Sequence, residues 1–496
     1  MAVVKARPFP RPLPAPPPST PSEVQRLAQF VTAVGADALS PGARKQLLIR
    51  VLDTLGVAIA AQEAHPIRAI RELTESLGPS GPATMIGGGW SAPDRVAFYN
   101  TALSRYLDYM DSYLAPGETC HPSDNLGAVL AAAETAGTSG SEFLIALAVA
   151  YQVQAQLSDV APVRARGFDH TVQGAYAVAA GVSRALGLTA EQTSNAIAIS
   201  GTANNALRVT RTGDLSHWKG LAYPQVAKEG VHAALLARAG ITGPRLVFEG
   251  NKGFRETIAG NFEIDWAAED LNRVLGTVVK RYNAEIHSQT AIEAAVEIAR
   301  RPGFEAERVR KVTVTTFQVA FDIIGGGEEG DKHSINTKEE ADHSLPYLLA
   351  VALLDGAVEP AQFAPGRIVA DDVQRLLRLV EVRPDDDFTA RFPAEMPSSV
   401  EVELEDGSRL SAQASSFRRS VSDPLDWNAA MAKYRGLVTP FAGVSLTNEI
   451  ADAVVHLGDG PVTDLTRLLG AVPREHRRAR GGTAATGSGG QLRRPG

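Results

Sequence analysis

Cysteine is almost missing from this chain. Its 496 residues include one, Cys120, so no disulfide can close within the chain, and its own thiolates cannot hold an iron–sulfur cluster or a CxxC-type zinc site. Long apolar runs are missing too, with nothing approaching the roughly 18 consecutive apolar residues of a membrane-spanning helix. The net charge is −7 and no long basic run interrupts the central part, which argues against nucleic acid as a partner. No GxSxG elbow, Walker loop or HExxH helix is present. The opening MAVVKARPFPRPLPAPPPSTP carries prolines where a secretory signal has its apolar core. A cytoplasmic protein with no membrane segment is therefore expected. The basic groups of REHRRARGG and QLRRPG lie in a Gly-rich tail unsuited to building a core.

What the chain has in plenty is helix. Hydrophobic residues make up 44% and charged residues 21%, ordinary for a globular protein, and the length suits two or three domains. Ser22 and Gln25 form an S-x-x-Q capping box, after which Val24, Leu27, Ala28 and Val31 fall on one helical face. As far as about residue 275 the segments are long and Ala- and Leu-rich. Several are apolar nearly all round, as buried helices are, and Ala179, Ala180 and Gly181 suit close crossings. YNTALSRYLDYMDSYL and AVLAAAETA both read as helices, with GETCHPSDNLG as the break between them. After about 305 the period shortens. VRKVTVTTF and LVEVRP read as strands, SSVEVELEDGSRLSAQ as a hairpin turning at Asp406-Gly407, and HSLPYLLAVALLDG between them as a helix. The expected architecture is mostly α: a large all-helical domain over 22–275, completed by about 411–460, and a smaller α+β domain over 276–410. A Pro-rich leader (1–21) and a tail (473–496) flank them.

The chemistry-bearing residues fall in four places. Asp108 and Asp111 are three apart at an expected helix end, with His121 in the following loop. His170 precedes a helix, where an imidazole can meet an anion or act as a cap. Arg208, Arg211, His217 and Lys219 crowd together beside Trp218 and Tyr223, as in an anion site. Lys280, Glu285 and His287 stand at a helix start near the expected domain junction, where small-molecule clefts are common, and His343 is a weaker candidate of the same kind. The run Gly325-Gly326-Gly327-Glu328-Glu329-Gly330 fits G-x-G-x-x-G after the strand-like VAFDII. Two carboxylates would face a pyrophosphate there and no amphipathic helix follows, so a flexible loop is expected instead. Gathered in one cleft, these His, Lys and Arg residues would hold a compact polycarboxylate and favour the enolate-like charge formed when a proton is removed beside a carboxylate.

LDYMDSYLAPGETCHPSDNLGAVLAAAE, GFDHTVQGAYAVAAG, LSHWKGLAYPQVAKEGVHAALLARAGITGP with FEGNKGF, and EEADHSLPYLLAVALLDG together resemble the MmgE/PrpD family over about residues 25–455. That family includes 2-methylcitrate dehydratase, cis-aconitate decarboxylase and iminodisuccinate epimerase. The resemblance implies a helical domain carrying an α/β lid, a homodimer, and an active site between domain and lid that uses no metal or other cofactor. It places the family's essential Asp at Asp108, the neighbouring hydroxyl at Ser112, the two histidines at His121 and His170, and the two lysines at Lys219 and Lys280. Arg208, Arg211, Glu285 and His287 are then expected to bind substrate.

Decarboxylase members carry a histidine where this chain has Glu285, whereas NAEIHSQTAIEAA and HPSDNLG look like the dehydratase pattern. The linker MDSYLAPGET departs from the commonest dehydratase wording and points to a side branch. The resemblance thus implies a hydro-lyase acting on a small tricarboxylate, 2-methylcitrate or citrate, in propionate breakdown. cis-Aconitate decarboxylation, iminodisuccinate epimerisation and a non-catalytic carboxylate-binding role stand as alternatives. His121 would reach the cleft from its loop, shaped by Pro122 and Gly127, with Ser123 and Asp124 capping the next helix.

Overall fold

The computed structural model describes residues 20–78, 80–416 and 424–474. All of the expected leader but Thr20 and Pro21, and the expected tail beyond Arg474, lie outside the described residues. The Ser22–Gln25 capping box forms, the Ser22 amide donating to Gln25 Oε1 at 2.9 Å, and opens the helix Glu23–Ala33. The larger lobe is a stack of helices, chief among them Pro41–Ala60, Pro93–Tyr106, Leu126–Ala136, Gly140–Val160, Thr171–Ala185, Ala190–Ala203 and Trp218–Arg238. Close crossings rest on small residues. A Cβ on Gly181 would lie 2.8 Å from Ala150 Cβ and 2.9 Å from the Ala146 carbonyl, distances that real Cβ atoms do not tolerate. Gly140–Val160 is long and apolar enough by composition to cross a membrane, yet 89% of its apolar window is buried inside the protein. It is a core helix here.

The chain returns to this lobe at its end. Trp427–Val455, broken at Gly443 (φ 72°), packs on Pro41–Ala60, and a further helix, Val462–Gly470, follows. That last helix lies beyond the expected limit at 460.

The smaller lobe is a four-stranded sheet with helices on it. Val309–Thr316 pairs in parallel with Val380–Pro384 and antiparallel with Ser398–Leu404, and Arg409–Ala414 forms the edge. The hairpin turns at Asp406-Gly407 as expected, and its second strand runs to Ala414, past the expected domain boundary at 410. Buried residues alternate along Val309–Thr316 and Ser398–Leu404, so one face is apolar and takes the helices Gln289–Ala299 and Leu345–Asp355. VAFDII is not a strand: Gln318–Ala320 and Phe321–Gly325 are short helical turns.

The lobes have separate apolar cores, and one short strand, Thr277–Val279, contributes to both. Successive strand side chains point to opposite faces, so Val279 enters the larger core and Val278 the smaller. The strand pairs antiparallel with Asp111–Ala115, matching Asp111 to Val279 and Ser112 to Val278. Arg50 of the helix Pro41–Ala60 secures it, Nε donating to Thr277 Oγ1 at 2.9 Å and Nη2 to the Thr277 carbonyl at 2.8 Å. The expected helix through LDYMDSYL is therefore corrected. Pro93–Tyr106 ends, and Asp111–Ala115 turns back on Glu118–Cys120 as a hairpin. Pro116 and Gly117 make the turn, Gly117 at φ 79°, a conformation glycine adopts without strain.

Candidate active site

The site starts from the end of the helix Pro93–Tyr106. The last carbonyls of a helix have no partner within it, and here the smaller lobe supplies the donors. Lys338 Nζ bonds the Tyr106 carbonyl, Asn283 Nδ2 the Leu107 carbonyl, and Lys280 Nζ the Asp108 carbonyl at 2.8 Å. The same Lys280 ammonium lies 2.8 Å from Asp108 Oδ1. Asp108 adopts φ 57°, a left-handed conformation that non-glycine residues rarely take and that collects at functional sites. The strand pairing sets Lys280, one residue past Val279, level with the run from Asp108 to Asp111.

Asp108 is buried between cations. Arg105, one helical turn earlier, bonds Oδ1, and His343 Nδ1 lies 3.7 Å from Oδ2. Burial alone would raise this carboxyl, but Lys280 and Arg105, with His343 and Lys219 behind them, hold it well below the usual carboxylate range. Asp108 is thus a fixed anion rather than a proton acceptor.

Four histidines line the same cavity, and each has Nδ1 next to an oxygen acceptor. His121 Nδ1 is 2.9 Å from the Asp111 carbonyl and 3.1 Å from Ser112 Oγ. A carbonyl only accepts, so Nδ1 carries the hydrogen and Nε2 the lone pair. His170 Nδ1 is 3.5 Å from Asp169 Oδ1, His343 Nδ1 is 2.8 Å from Asp342 Oδ1, and His287 Nδ1 is 2.6 Å from Glu285 Oε1. The His121 and His170 rings meet edge to face at 5.4 Å. Burial, reinforced by Arg105 and Lys280, keeps His121 well below the ordinary histidine value. Burial also lowers His170 to about 3 and His343 to about 4. All three are neutral bases at physiological pH.

The remaining wall is charged. Arg105, Arg164, Arg208, Arg211 and Lys280 face the cavity, as do Asp108, Glu118, Glu285 and Glu329. Arg211 Nε bonds Asp169 Oδ2 at 2.6 Å, while Glu329 Oε1 takes both Arg208 and, at 3.4 Å, Arg164. The walls enclose about 470 Å³ of empty space including the mouth, of which only about 40 Å³ admits the centre of a water molecule. The carboxylates of an acid entering the slot would compete with Glu329 for the two guanidiniums.

The two sequence models of the MmgE/PrpD family both match: the N-terminal domain over residues 25–267 and the C-terminal domain over residues 282–458. The chain belongs to the MmgE/PrpD family. The gap between the matches, 268–281, contains the strand that joins the two cores. Similar proteins include the 2-methylcitrate dehydratase of Escherichia coli (strain K12), 29% identical over 394 residues, 73% of this chain and 78% of that one. The mitochondrial 2-methylcitrate dehydratase of Yarrowia lipolytica is 26% identical over 421 residues, 79% and 78% of the two chains. The 2-methylcitrate dehydratase-like protein oryR of Aspergillus oryzae is 28% identical over 407 residues, 75% and 80%.

In this MmgE/PrpD chain Asp108, His121, His170, Arg208, Arg211, Lys280, Glu285 and His287 all reach the cavity wall. Ser112 stands behind His121, and Lys219 stands behind the wall, bonded to Asp342 and to the Glu339 carbonyl. Burial lowers Lys219 to about 8 against the pull of Asp342 and Asp108. Both oxygens of Glu285 are engaged by His287, one by Nδ1 and one by the backbone amide at 2.7 Å, so Glu285 faces the cavity while holding a histidine. His217 and Trp218 point to the surface and leave the anion cluster. The GGGEEG run is no mere flexible loop, because it buries Glu329 against Arg208 and Arg164. Ser123 and Asp124 do not cap the helix after them. The Ser123 amide instead donates to Asp111 Oδ1 at 3.2 Å, and Gly127 serves a close approach to Thr101 rather than a turn.

Arg105, Asp342, Glu329 and Glu118 were not among the expected residues. The i,i+3 spacing of Arg105 and Asp108 was the available signal for the first; the others are assembled through space. Asp124, expected only as a cap, belongs to the same buried charges, with both oxygens buried and, among the described residues, without a hydrogen bond, 3.7 Å from Arg105 Nε. Burial, opposed by Arg105, raises its carboxyl from 3.8 to about 7. The folded chain therefore keeps this proton between those values while the unfolded chain has lost it, and stability falls as pH rises through that window, by up to about 4 kcal/mol. Asp124→Asn is expected to be more stable than the parent at pH 8 and about equal to it near pH 4. Urea midpoints of both proteins at the two pH values check this, and a gap that does not shrink on acidification would refute it.

Proposed function

We propose that this protein is a hydro-lyase that dehydrates a compact hydroxy-tricarboxylate, with 2-methylcitrate as the foremost substrate and 2-methyl-cis-aconitate as product. The observation that carries the reading is His121: a neutral imidazole whose tautomer leaves Nε2 as a base, in a cavity walled by four arginines and a lysine. Arg164, Arg208 and Arg211 would anchor the acid groups. His121 would take the proton beside a carboxylate, while Lys280 and Arg105 stabilise the enolate-like charge that develops. Asp108, Asp342 and His343 offer atoms within 4.8 Å of one another, a spacing a metal ion could use. Ammonium groups of Lys280, Lys219 and Lys338 already sit on those two carboxylates, so the reading assigns charge stabilisation to side chains and is cofactor-independent. A role in propionate breakdown and a homodimer belong to the same reading and rest on the family resemblance alone; a cytoplasmic address is proposed with them.

The test is incubation with 2-methylcitrate, citrate and cis-aconitate, following absorbance of the new double bond and released gas. Absorbance growth with 2-methylcitrate and no carbon dioxide is the expected result. Carbon dioxide from cis-aconitate would select decarboxylation instead, and silence with every acid would refute an enzyme of this class.

A further inference from the structure

The lone pair of His121 accounts for one of two proton movements. Loss of water also needs a proton for the departing hydroxyl, and the remaining cavity histidines differ in how their carboxylates are shared. Asp169 divides itself between His170, Arg208 and Arg211. Asp342 divides itself among His343, Lys219 and Lys338. Each of those imidazoles therefore faces competing cations. Glu285 pairs with His287 and, among the described residues, with no lysine or arginine within ion-pair distance.

Burial alone would raise the Glu285 carboxyl, but His287 draws it down to about 2, so it is an anion fixed 2.6 Å from Nδ1. The ring packs edge-on against Phe317 at 5.7 Å and tilted against Phe392 at 5.5 Å. Its Nε2 is buried and, among the described residues, has no hydrogen-bond partner, and the ring lines the cavity in the smaller lobe, whereas His121 belongs to the larger.

We infer that His287, held by Glu285, is the proton donor to the leaving hydroxyl, a role that rests on the dehydratase reading. The substrate C–H bond breaks and its proton goes to His121 Nε2. The C–H electron pair becomes the second bond of the alkene, the C–O pair leaves on oxygen, and that oxygen takes the proton from His287 Nε2 to depart as water. Glu285 is a positioning residue that balances the imidazolium. The two proton-transfer groups stand on different lobes, so the pair is complete only when the lobes are joined.

The test uses two substrates: the hydroxy-acid, and an analogue with chloride in place of the hydroxyl, whose leaving group needs no proton. His287→Asn keeps a donor for Glu285 and is expected to lower kcat on the hydroxy-acid at least a hundredfold. The chloro-acid should be eliminated at within about fivefold of the parent rate. Loss of both reactions, or retention of both, would overturn the assignment. Glu285→Gln, the second variant, is expected to move the alkaline limb of the kcat profile to lower pH, because the imidazolium loses its counter-charge; an unmoved limb with reduced kcat would mark a merely structural role. If the parent turns over no hydroxy-acid at all, the dehydratase reading falls and this assignment falls with it.

Discussion

His121→Ala is expected to lower kcat by about a thousandfold, within the range a positioned general base contributes, while KM changes far less. The imidazole hydrogen-bonds the Asp111 carbonyl and Ser112 through Nδ1 and meets the His170 ring edge to face, so the variant loses a base and little of the carboxylate-binding wall. The neutral state has its own signature. Burial, Arg105 and Lys280 keep the group below its ordinary value of 6.5. A base works only when unprotonated, so the acid limb of the kcat/KM profile should lie below pH 6.5. Transfer of substrate hydrogen to solvent, followed in deuterated water, should vanish in the variant. Wild-type exchange in His121→Ala would remove it from the mechanism.

Lys280→Met is expected to have the largest combined effect. The ammonium is buried between the carbonyl and the carboxylate of Asp108, at 2.8 Å from each. Removing one partner of a buried pair leaves an uncompensated charge and costs about 3–5 kcal/mol, moderated here by Arg105 on the same oxygen. The denaturation midpoint should fall accordingly, and kcat/KM should drop by about two orders of magnitude or more, as for loss of a donor aimed at developing charge. The double variant Lys280→Met/Asp108→Asn separates the two effects. It should recover most of the stability and none of the activity. Recovered activity would mean that Lys280 only neutralises Asp108.

Much of this was legible in the sequence where signals are local. Capping residues, the turn at Asp406-Gly407 and the alternation of Val312 and Val314 announce their elements because neighbours along the chain decide them. The expected helix over Asp111–Ala115 gives way to a strand that pairs both with Glu118–Cys120 beside it and with Thr277–Val279, more than 150 positions away; the helical look of YLDYMDSYL carries no sign of that distant partner. The same division runs through the site. Histidines in polar breaks between apolar helices stood out. Glu329 did not, since a glycine-rich run gives no hint that one of its two glutamates is buried against arginines from the other lobe.

The alternation of Val278 and Val279 makes Thr277–Val279 a ruler with a parity. A slip of one residue along Asp111–Ala115 would exchange the cores that the two valines enter and turn the Lys280 side chain away from Asp108. Single-residue insertions in this stretch are thus expected to yield chains whose lobes each fold while the ammonium and carboxylate no longer meet. Correct joining of the halves and competence of the site are read from the same few peptide units.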